Sequence, residues 1–341
     1  MSSSPSSLSS SLHLAVALDG AGWHPAAWRE PVARPGDLLT AEYWADIVTE
    51  AEHGLLDFVT IEDALGLQSS RFTEPDSRTD QVRGRLDAVL IAARVAPLTR
   101  HVGLIPTVVT THTEPFHISK AIATLDYVST GRAGLRVQVS GRQNEAAHFG
   151  RRTIPRIRFG EAYAPEIQEV ITELFEEAGD YVEVVRRLWD SWEDDAEIRD
   201  VATGRFVDRD KLHYVDFEGA TFTVRGPAIV PRPPQGHPVT VIDGTGGPSQ
   251  EAAARHADVV LVRAPAPEQA AGIRADVRRR AAAYGRDPDT LRVLVALTVD
   301  LGDAETAPEP GLESGPPLAA GGSYYRGGPV DLAELIARWH R

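Results

Sequence analysis

The sequence predicts an α/β protein whose strands form a parallel sheet, and three observations support this prediction. Short apolar runs and amphipathic stretches alternate four times over residues 12–140, a pattern that favours parallel strands joined by crossover helices. The chain has 341 residues, 42% of them hydrophobic and 25% charged, which is enough for a large buried core. It contains no cysteine, so disulfide frameworks and thiolate metal sites are excluded.

The strands are predicted from short apolar runs bounded by glycine or polar residues. These runs cover residues 12–18, 57–63, 102–110, 135–140, 239–243, 258–262 and 291–299. We find seven runs and no eighth, whereas a closed (β/α)8 barrel needs eight strands. A barrel built from this sequence would therefore lack its last strand.

The helices are predicted from apolar residues that recur at three- and four-residue spacing. In the first helix, Thr40 is the expected N-cap and Gly54 the expected C-terminal stop. Further helices are expected over residues 85–96, 114–129, 181–192, 248–256, 266–284 and 330–339. Residues 193–238 are charged and then rich in proline, which predicts an excursion from the sheet.

Two architectures are compatible with this order of elements. One is the (β/α)8 barrel short of a strand, and the other is a doubly wound open sheet. The connection after the first strand reads Asp19-Gly-Ala-Gly-Trp-His24 and continues without the compact glycine turn of a dinucleotide-binding sheet. This observation weighs against the dinucleotide-binding form of the open sheet.

Charge and composition restrict the partners and the location. The net charge of −14 argues against nucleic acid or an anionic membrane as the main partner. No apolar run approaches the roughly 18 residues of a membrane span. Residues 1–11 are rich in serine, and we expect a disordered tail there, followed by a single domain over residues 12–341. These features predict a cytoplasmic protein.

Candidate functional residues stand at the carboxyl ends of the predicted strands, where a parallel barrel builds its site. They are His24, Glu62, Asp63, Thr107, Thr110, Thr111, His112, Ser140, Gly141 and the stretch 244–249. The set holds no compact acid–base pair, metal-ligand spacing or nucleophile elbow, and it suits a large planar cofactor that performs the chemistry itself. The glycine turn at 244–247 precedes a helix, whose unpaired N–H groups and dipole would favour an anion.

Each of these features also has a purely structural interpretation. The glycines at 244–247 can form an ordinary turn, and Asp63 can cap a helix without contacting a ligand. His24 can pack within its loop, and His112 can simply be exposed beside the third strand. The residues alone leave these alternatives open.

Four segments carry a resemblance to a known family. They are GWHPAAWREP at 22–31, a long central block at 100–141, EVVRRLWDSWEDDA at 183–196 and FTVRGPAIVPRPPQGHPVTVIDG at 222–244. With these segments the chain resembles the bacterial-luciferase-like flavin monooxygenases, in particular the branch of nitrilotriacetate and dibenzothiophene-sulfone monooxygenases. The resemblance extends over about residues 12–300.

The resemblance implies a TIM-barrel enzyme that works with a separate NAD(P)H:flavin reductase. Such an enzyme binds reduced FMN (FMNH2), reacts with O2 through a flavin C4a-hydroperoxide and oxygenates a small organic substrate, commonly as a homodimer. The resemblance implies flavin contacts, around the ring and at the phosphate, at Asp63, Thr107, Val139, Ser140, Gly244, Thr245, Gly246, Gly247 and Ser249. It places His24 and His112 on the substrate side, where either would donate a proton.

The chain departs from the family pattern at four places. Leu135-Arg136 stands where the family usually has Trp-Asn, Val139 stands where it often has Thr, and Gly246 stands where it usually has Ser. The chain stops at Arg341, before a strand that the family reads as Asp-Gly-Phe. Two other functions therefore stay open, namely F420-dependent hydride transfer and a non-catalytic flavin-binding relative.

At the turn before the fourth strand, we expect Asp126 and Arg132 to pair.

Overall fold

A curled sheet of seven parallel strands forms the centre of this computed structural model. The structure describes residues 11–24, 26–69, 71, 75–157, 161, 163–301 and 322–340. In chain order, all the strands in these described residues are β1 (Ala15–Leu18), β2 (Phe58–Ile61), β3 (Gly103–Val109), β4 (Gly134–Gln138), β5 (Glu197–Asp200), β6 (Arg205–Val207), β7 (Phe217–Glu218), β8 (Thr223–Val224), β9 (Val239–Asp243), β10 (Val259–Val262), β11 (Arg292–Val295), β12 (Leu297–Leu301) and β13 (Ser323–Gly327).

The α-helices follow the strands along the chain, and several of them pack on the outer face of this sheet. They are α1 (Ala41–His53), α2 (Ala88–Val95), α3 (Pro115–Ser129), α4 (Gln143–Phe149), α5 (Pro165–Trp189), α6 (Gly247–His256), α7 (Pro267–Ala283) and α8 (Pro329–His340). Within the described ranges, no helix is both long and apolar enough to cross a membrane.

The order of the strands distinguishes between the two predicted architectures. Neighbours in the central sheet follow one another along the chain, as β1-β2-β3-β4-β9-β10-β11. A doubly wound sheet reverses this order at a switch point, whereas a barrel does not. The barrel-like order is therefore confirmed. The described strands do not close into a full (β/α)8 barrel, because β1 and β11 remain the two edges of the sheet.

Besides the four short strands in residues 193–238, the strand prediction missed β13. Strand β13 pairs in parallel with β12, so that Leu297 lies opposite Ser323. Its sequence, SYYRG, contains no continuous apolar run, which is why the pattern search did not find it. The strand predicted at 291–299 is divided at Ala296, whose N–H donates to the Val262 carbonyl at 2.8 Å, and the chain then continues as β12.

Two helices also differ from the prediction. The helix expected at 181–192 begins at Pro165, because apolar residues such as Ile167 and Leu174 continue the buried face towards the N-terminus. Helix α4 has only seven residues, too few to display a helical period, and it was not predicted. The remaining predicted helices are confirmed with shifts of a few residues at their ends.

The core lies between the sheet and its helices. Val59, Leu104 and Leu135 of three adjacent strands are fully buried against this helical layer. Trp189 of α5 is 2% exposed, and its indole N–H donates to the Ser119 carbonyl of α3 at 3.0 Å. Burial of such large side chains supplies most of the free energy of folding.

Residues 193–238 form the predicted excursion from the sheet. They contain two short antiparallel pairs, β5–β6 and β7–β8, neither of which joins the seven central strands. Trp192 attaches this segment to the barrel helices, since its indole N–H donates to the Ala228 carbonyl at 2.8 Å.

The expected pair between Asp126 and Arg132 is wrong. Arg132 directs its guanidinium to Thr99 and to nearby backbone carbonyls, including that of Val102 at 2.7 Å. Asp126 instead accepts from the backbone N–H groups of Ala133 and Gln235, at 3.2 and 2.9 Å. Each side chain fixes the turn separately, because buried N–H and carbonyl groups need partners of their own.

His256 at the end of α6 packs against α5. An added Cβ at Gly179 would lie 3.0 Å from His256 Nε2, so the glycine makes room for the imidazole. Burial, together with the cations Arg186 and Arg255, lowers the pKa of His256 to about 4.

We therefore expect the protein to lose stability as the pH falls from 6.5 to 4. In this window the unfolded chain binds a proton at His256 and the folded chain does not, so acid favours unfolding. The variant His256→Gln should remove about 2 kcal/mol of the loss at pH 4.5. Urea unfolding at pH 7 and pH 4.5 measures this, with the exposed His101→Gln as the control. An unchanged pH dependence in His256→Gln would contradict the assignment.

Candidate active site

The predicted site residues meet at the carboxyl edge of the central sheet. Asp63 follows β2, Thr107 lies within β3, Ser140 follows β4 and Gly244 follows β9. Because these four strands are adjacent and parallel, their ends lie side by side.

A buried ion cluster lies on the inner face of the sheet. Arg136 of β4 donates to Glu62 after β2, and to Asp243 at the end of β9 with N–O distances of 2.8 and 3.1 Å. The side chains of Arg136 and Glu62 are both 9% exposed. Burial raises the pKa of Glu62, Arg136 opposes this shift, and Asp243 adds to it. The cluster therefore joins three strands through the interior.

Two buried threonines beside this cluster have no hydrogen-bond partner in the part of the chain that the structure describes. They are Thr60 and Thr107, on β2 and β3. Thr107 is 1% exposed and lies opposite Arg136 in the register between β3 and β4. Since buried hydroxyls are normally paired, Thr107 is available to a ligand group that enters the site.

Asp63 closes the connection between β2 and α2. Its carboxylate accepts from the N–H of Ala64 at 2.7 Å and from the N–H of Ala88 at 3.0 Å. Burial raises its pKa, and these two hydrogen bonds act in the opposite direction. Both carboxylate oxygens of Asp63 therefore form structural hydrogen bonds, which agrees with the interpretation of this residue as one that contacts no ligand.

The loop between β2 and α2 is closed at two further points. Gln68 and Gly84 exchange two hydrogen bonds, at 3.0 and 2.8 Å. Arg85 donates to both carboxylate oxygens of Asp19, at 2.9 and 2.7 Å, and so attaches the loop to the end of β1. The loop is therefore fixed at its base, next to the carboxyl edge of the sheet.

Ser140 belongs to a hydrogen-bond network that includes α4. Its hydroxyl donates to Glu145 at 2.7 Å, and its backbone N–H donates to the Thr111 hydroxyl at 3.0 Å. The preceding residue, Val139, is half-buried against the core. Ser140 therefore positions α4, while Val139 presents a small apolar surface.

His112 is buried and stacks on Phe149, with ring centroids 5.3 Å apart and an angle of 7° between the planes. Its Nε2 atom has no hydrogen-bond partner among the described residues. Burial, and then the nearby cation Arg152, lowers the pKa of His112. The ring is consequently neutral near pH 7. The structural interpretation in which His112 is simply exposed beside the third strand is therefore wrong.

His24 is half-buried in the loop after β1. Its Nδ1 accepts from the Ala26 N–H at 3.1 Å, so this hydrogen bond does not use Nε2. No contact between His24 and His112 is found in the described ranges, so the structure does not unite the two predicted histidines in one group.

The glycine loop after β9 leads directly into α6. An added Cβ at Gly244 would lie 2.7 Å from Val260 Cγ1, so only glycine fits there. Gly246 and Gly247 have open space where a Cβ would stand, and Thr245 is exposed beside them. Ser249 is occupied within the turn, since it accepts from the Gly246 N–H at 2.9 Å. The first turn of α6 is therefore open to an anion.

Sequence reasoning missed a group of buried charges near His112. Arg152 donates to Glu177 of α5, and Arg142 donates to Glu145 of α4. These acids lie on parts of helices that the apolar pattern did not reveal. In the described part of the chain, no group of three or more His, Asp or Glu residues has the arrangement of a metal site.

The fold and this arrangement define a class of α/β proteins with a curled, barrel-like parallel sheet and polar residues gathered at its carboxyl edge. Residues 23–309 match the luciferase-like monooxygenase family, and the chain belongs to that family.

Characterised relatives support this assignment. The chain is 36% identical to nitrilotriacetate monooxygenase component A of Aminobacter aminovorans, over 84% of this chain and 61% of the relative. It is 31% identical to dibenzothiophene-sulfone monooxygenase of Rhodococcus erythropolis, over 84% of this chain and 61% of the relative. A solved structure of riboflavin lyase, with modified FMN and riboflavin, is similar with a TM-score of 0.71 and 26% identity, over 85% of this chain and 63% of that one. The chain thus spans about 61% of the length of these two sequence relatives.

Proposed function

We propose that this chain is the oxygenating component of a two-component flavin monooxygenase. It would take FMNH2 from a separate reductase and use O2 to oxygenate a small organic substrate. The observation that carries the proposal is the open first turn of α6, formed by Gly246 and Gly247 at the site edge of a luciferase-like sheet. The related riboflavin lyase, whose structure contains modified FMN, supports FMN as the flavin.

The residues at the sheet edge fit a flavin in two ways. The N–H groups at the start of α6, with Thr245 beside them, would hold the phosphate. The unpartnered hydroxyl of Thr107 and the small side chain of Val139 would face the ring. Asp63 and Ser140 already have protein partners, so they would shape the pocket around the ring and not bind it freely.

The flavin supplies the chemistry with oxygen, and the protein supplies position and protons. His112, buried and neutral with a free Nε2, would exchange a proton on the substrate side, and His24 would do so from the loop after β1. The closed loop between β2 and α2 would help to exclude water from the site. A homodimer and a cytoplasmic location stay predictions from the sequence.

Anaerobic titration with FMNH2 and, separately, with reduced F420 tests the cofactor. We expect FMNH2 to bind and, after rapid mixing with oxygenated buffer, a transient absorbance of C4a-peroxyflavin. Binding of F420 without oxygen consumption would instead support hydride transfer. Tight flavin binding without turnover on any substrate would support a non-catalytic relative.

A carboxylate introduced at the start of α6 tests the phosphate position. We expect Gly246→Asp to weaken FMN binding at least tenfold and to leave riboflavin binding unchanged, because the new charge repels only the phosphate. Gly272→Asp is the matched control, since Gly272 lies in α7 with the same open space around it. Flavin fluorescence measures both affinities. Equal weakening of FMN and riboflavin would exclude this turn as the phosphate site.

A further inference from the structure

The buried ion cluster on the inner face of the sheet holds one cation between two acids. Each nitrogen of the Arg136 guanidinium donates to a carboxylate, one of them to Glu62 and the other two to Asp243, at 3.1 and 2.8 Å. The neighbouring pair of Asp19 and Arg85 adds no net charge. With both of its carboxylates ionised, the cluster therefore carries one net negative charge inside the sheet.

The strand order places this cluster between the two proposed flavin contacts. Thr107 lies on β3 and Gly244 follows β9, and the strand between them is β4, which carries Arg136. Thr107 and Arg136 lie opposite each other in the register, so their side chains share one face of the sheet, on strands about 5 Å apart. A flavin that reaches from Thr107 to the glycine loop therefore crosses the end of β4, next to the cluster.

The cluster is shielded from water on all members but one. The side chains of Arg136 and Glu62 are 9% exposed, whereas that of Asp243 is 31% exposed and directly precedes the glycine loop. Charges that are buried in this way act more strongly on a neighbouring group than charges in water do, because the effective dielectric constant around them is lower.

Resting on the function proposed above, we infer that this ion cluster sets how strongly the chain prefers reduced over oxidised flavin. Reduced flavin loses its N1 proton near neutral pH and then carries a negative charge on the ring that oxidised flavin lacks, so charges near N1 change the balance between the two forms. The carboxylates of Glu62 and Asp243 weaken binding of the reduced form, and Arg136 strengthens it. The flavin phosphate is common to both forms, so the ratio of the two affinities reports on the ring.

The variant Glu62→Gln tests this inference, because it removes one charge and keeps an oxygen that accepts from Arg136. Anaerobic reductive titration of the FMN-loaded protein at pH 8, with a reference dye, measures the potential of the bound flavin. We expect the affinity ratio of reduced to oxidised FMN to rise about tenfold, which raises the two-electron potential by about 30 mV. An unchanged or lower ratio in folded Glu62→Gln protein would overturn the inference.

A second variant, Asp243→Asn, covers the case in which Glu62→Gln does not fold. We expect it to raise the same ratio with FMN and also with riboflavin, which has no phosphate. A rise with FMN alone would assign the effect to the glycine loop and overturn the inference. Asp258→Asn is the matched control, since Asp258 accepts from the Thr240 N–H at 2.8 Å, near the other end of β9. It should leave the ratio unchanged, and an equal rise there would contradict a local action of the cluster.

The binding measurements on the parent protein separate this inference from the proposed function. If the parent binds neither oxidised nor reduced FMN, the proposed function fails and the inference fails with it. If the parent binds both forms and neither acid variant changes the ratio, only this inference fails.

Discussion

Replacing Arg136 with alanine is expected to destabilise the protein by about 3 to 5 kcal/mol. The change leaves Glu62 as a buried carboxylate without a cation and removes the link between β2, β4 and β9. Urea unfolding at pH 8 measures the loss. An exposed pair provides the comparison, since Arg199→Ala, which removes a contact to Glu197, should change the unfolding free energy little.

The loss of unfolding free energy in Arg136→Ala should depend on pH. Without the arginine, the pKa of Glu62 rises further above its unfolded value, because burial, Asp243 and Asp19 then act against only one remaining cation, Arg85. The folded variant holds a proton that the unfolded chain releases, so its stability falls as the pH rises above about 4.5. We expect a smaller deficit at pH 5 than at pH 8. An equal deficit at both values would argue that Glu62 carries no buried charge.

Replacing His112 with alanine is expected to abolish coupled oxygenation while FMN binding persists. The buried Nε2 atom has no hydrogen-bond partner among the described residues and is a proton-exchanging group of the proposed mechanism, and such groups contribute about 10²- to 10⁴-fold to rates. We expect product per O2 consumed to fall at least tenfold, with hydrogen peroxide released in its place. Flavin affinity, measured in parallel, should stay within about twofold of the parent.

The neighbouring His148→Ala is the matched control for this experiment. His148 lies on the short helix α4, next to Phe149 on which His112 stacks, and is exposed. It should retain normal coupling. Unchanged coupling in His112→Ala would remove His112 from the mechanism and leave His24 as the candidate proton donor.

Much of the fold follows from local patterns in the sequence. The seven central strands are continuous apolar runs because both faces of a parallel sheet are buried, and such runs are visible without structural information. Strand β13 escaped because its tyrosines and arginine form no such run. Helix α4 escaped because seven residues hold barely two turns.

The site was predictable as a location but less so as a set of contacts. Parallel strand order alone brings Asp63, Thr107, Ser140 and Gly244 to one edge. Which of these side chains can still bind a ligand depends on residues distant in sequence. Asp63, for example, already accepts a hydrogen bond from the backbone N–H of Ala88. The ion cluster of Arg136 joins residues from three strands, and no local spacing reveals such a meeting.

The closure of the β2–α2 loop by Gln68 and Gly84 has an evolutionary consequence. The two residues exchange a pair of hydrogen bonds at the base of the loop. We expect changes of sequence within residues 69–83 to alter the sheet less than changes at Gln68 or Gly84, provided that the contact of Asp80 with Trp28 is kept. Grafting this stretch between relatives therefore tests whether the loop alone sets the substrate range of the proposed enzyme.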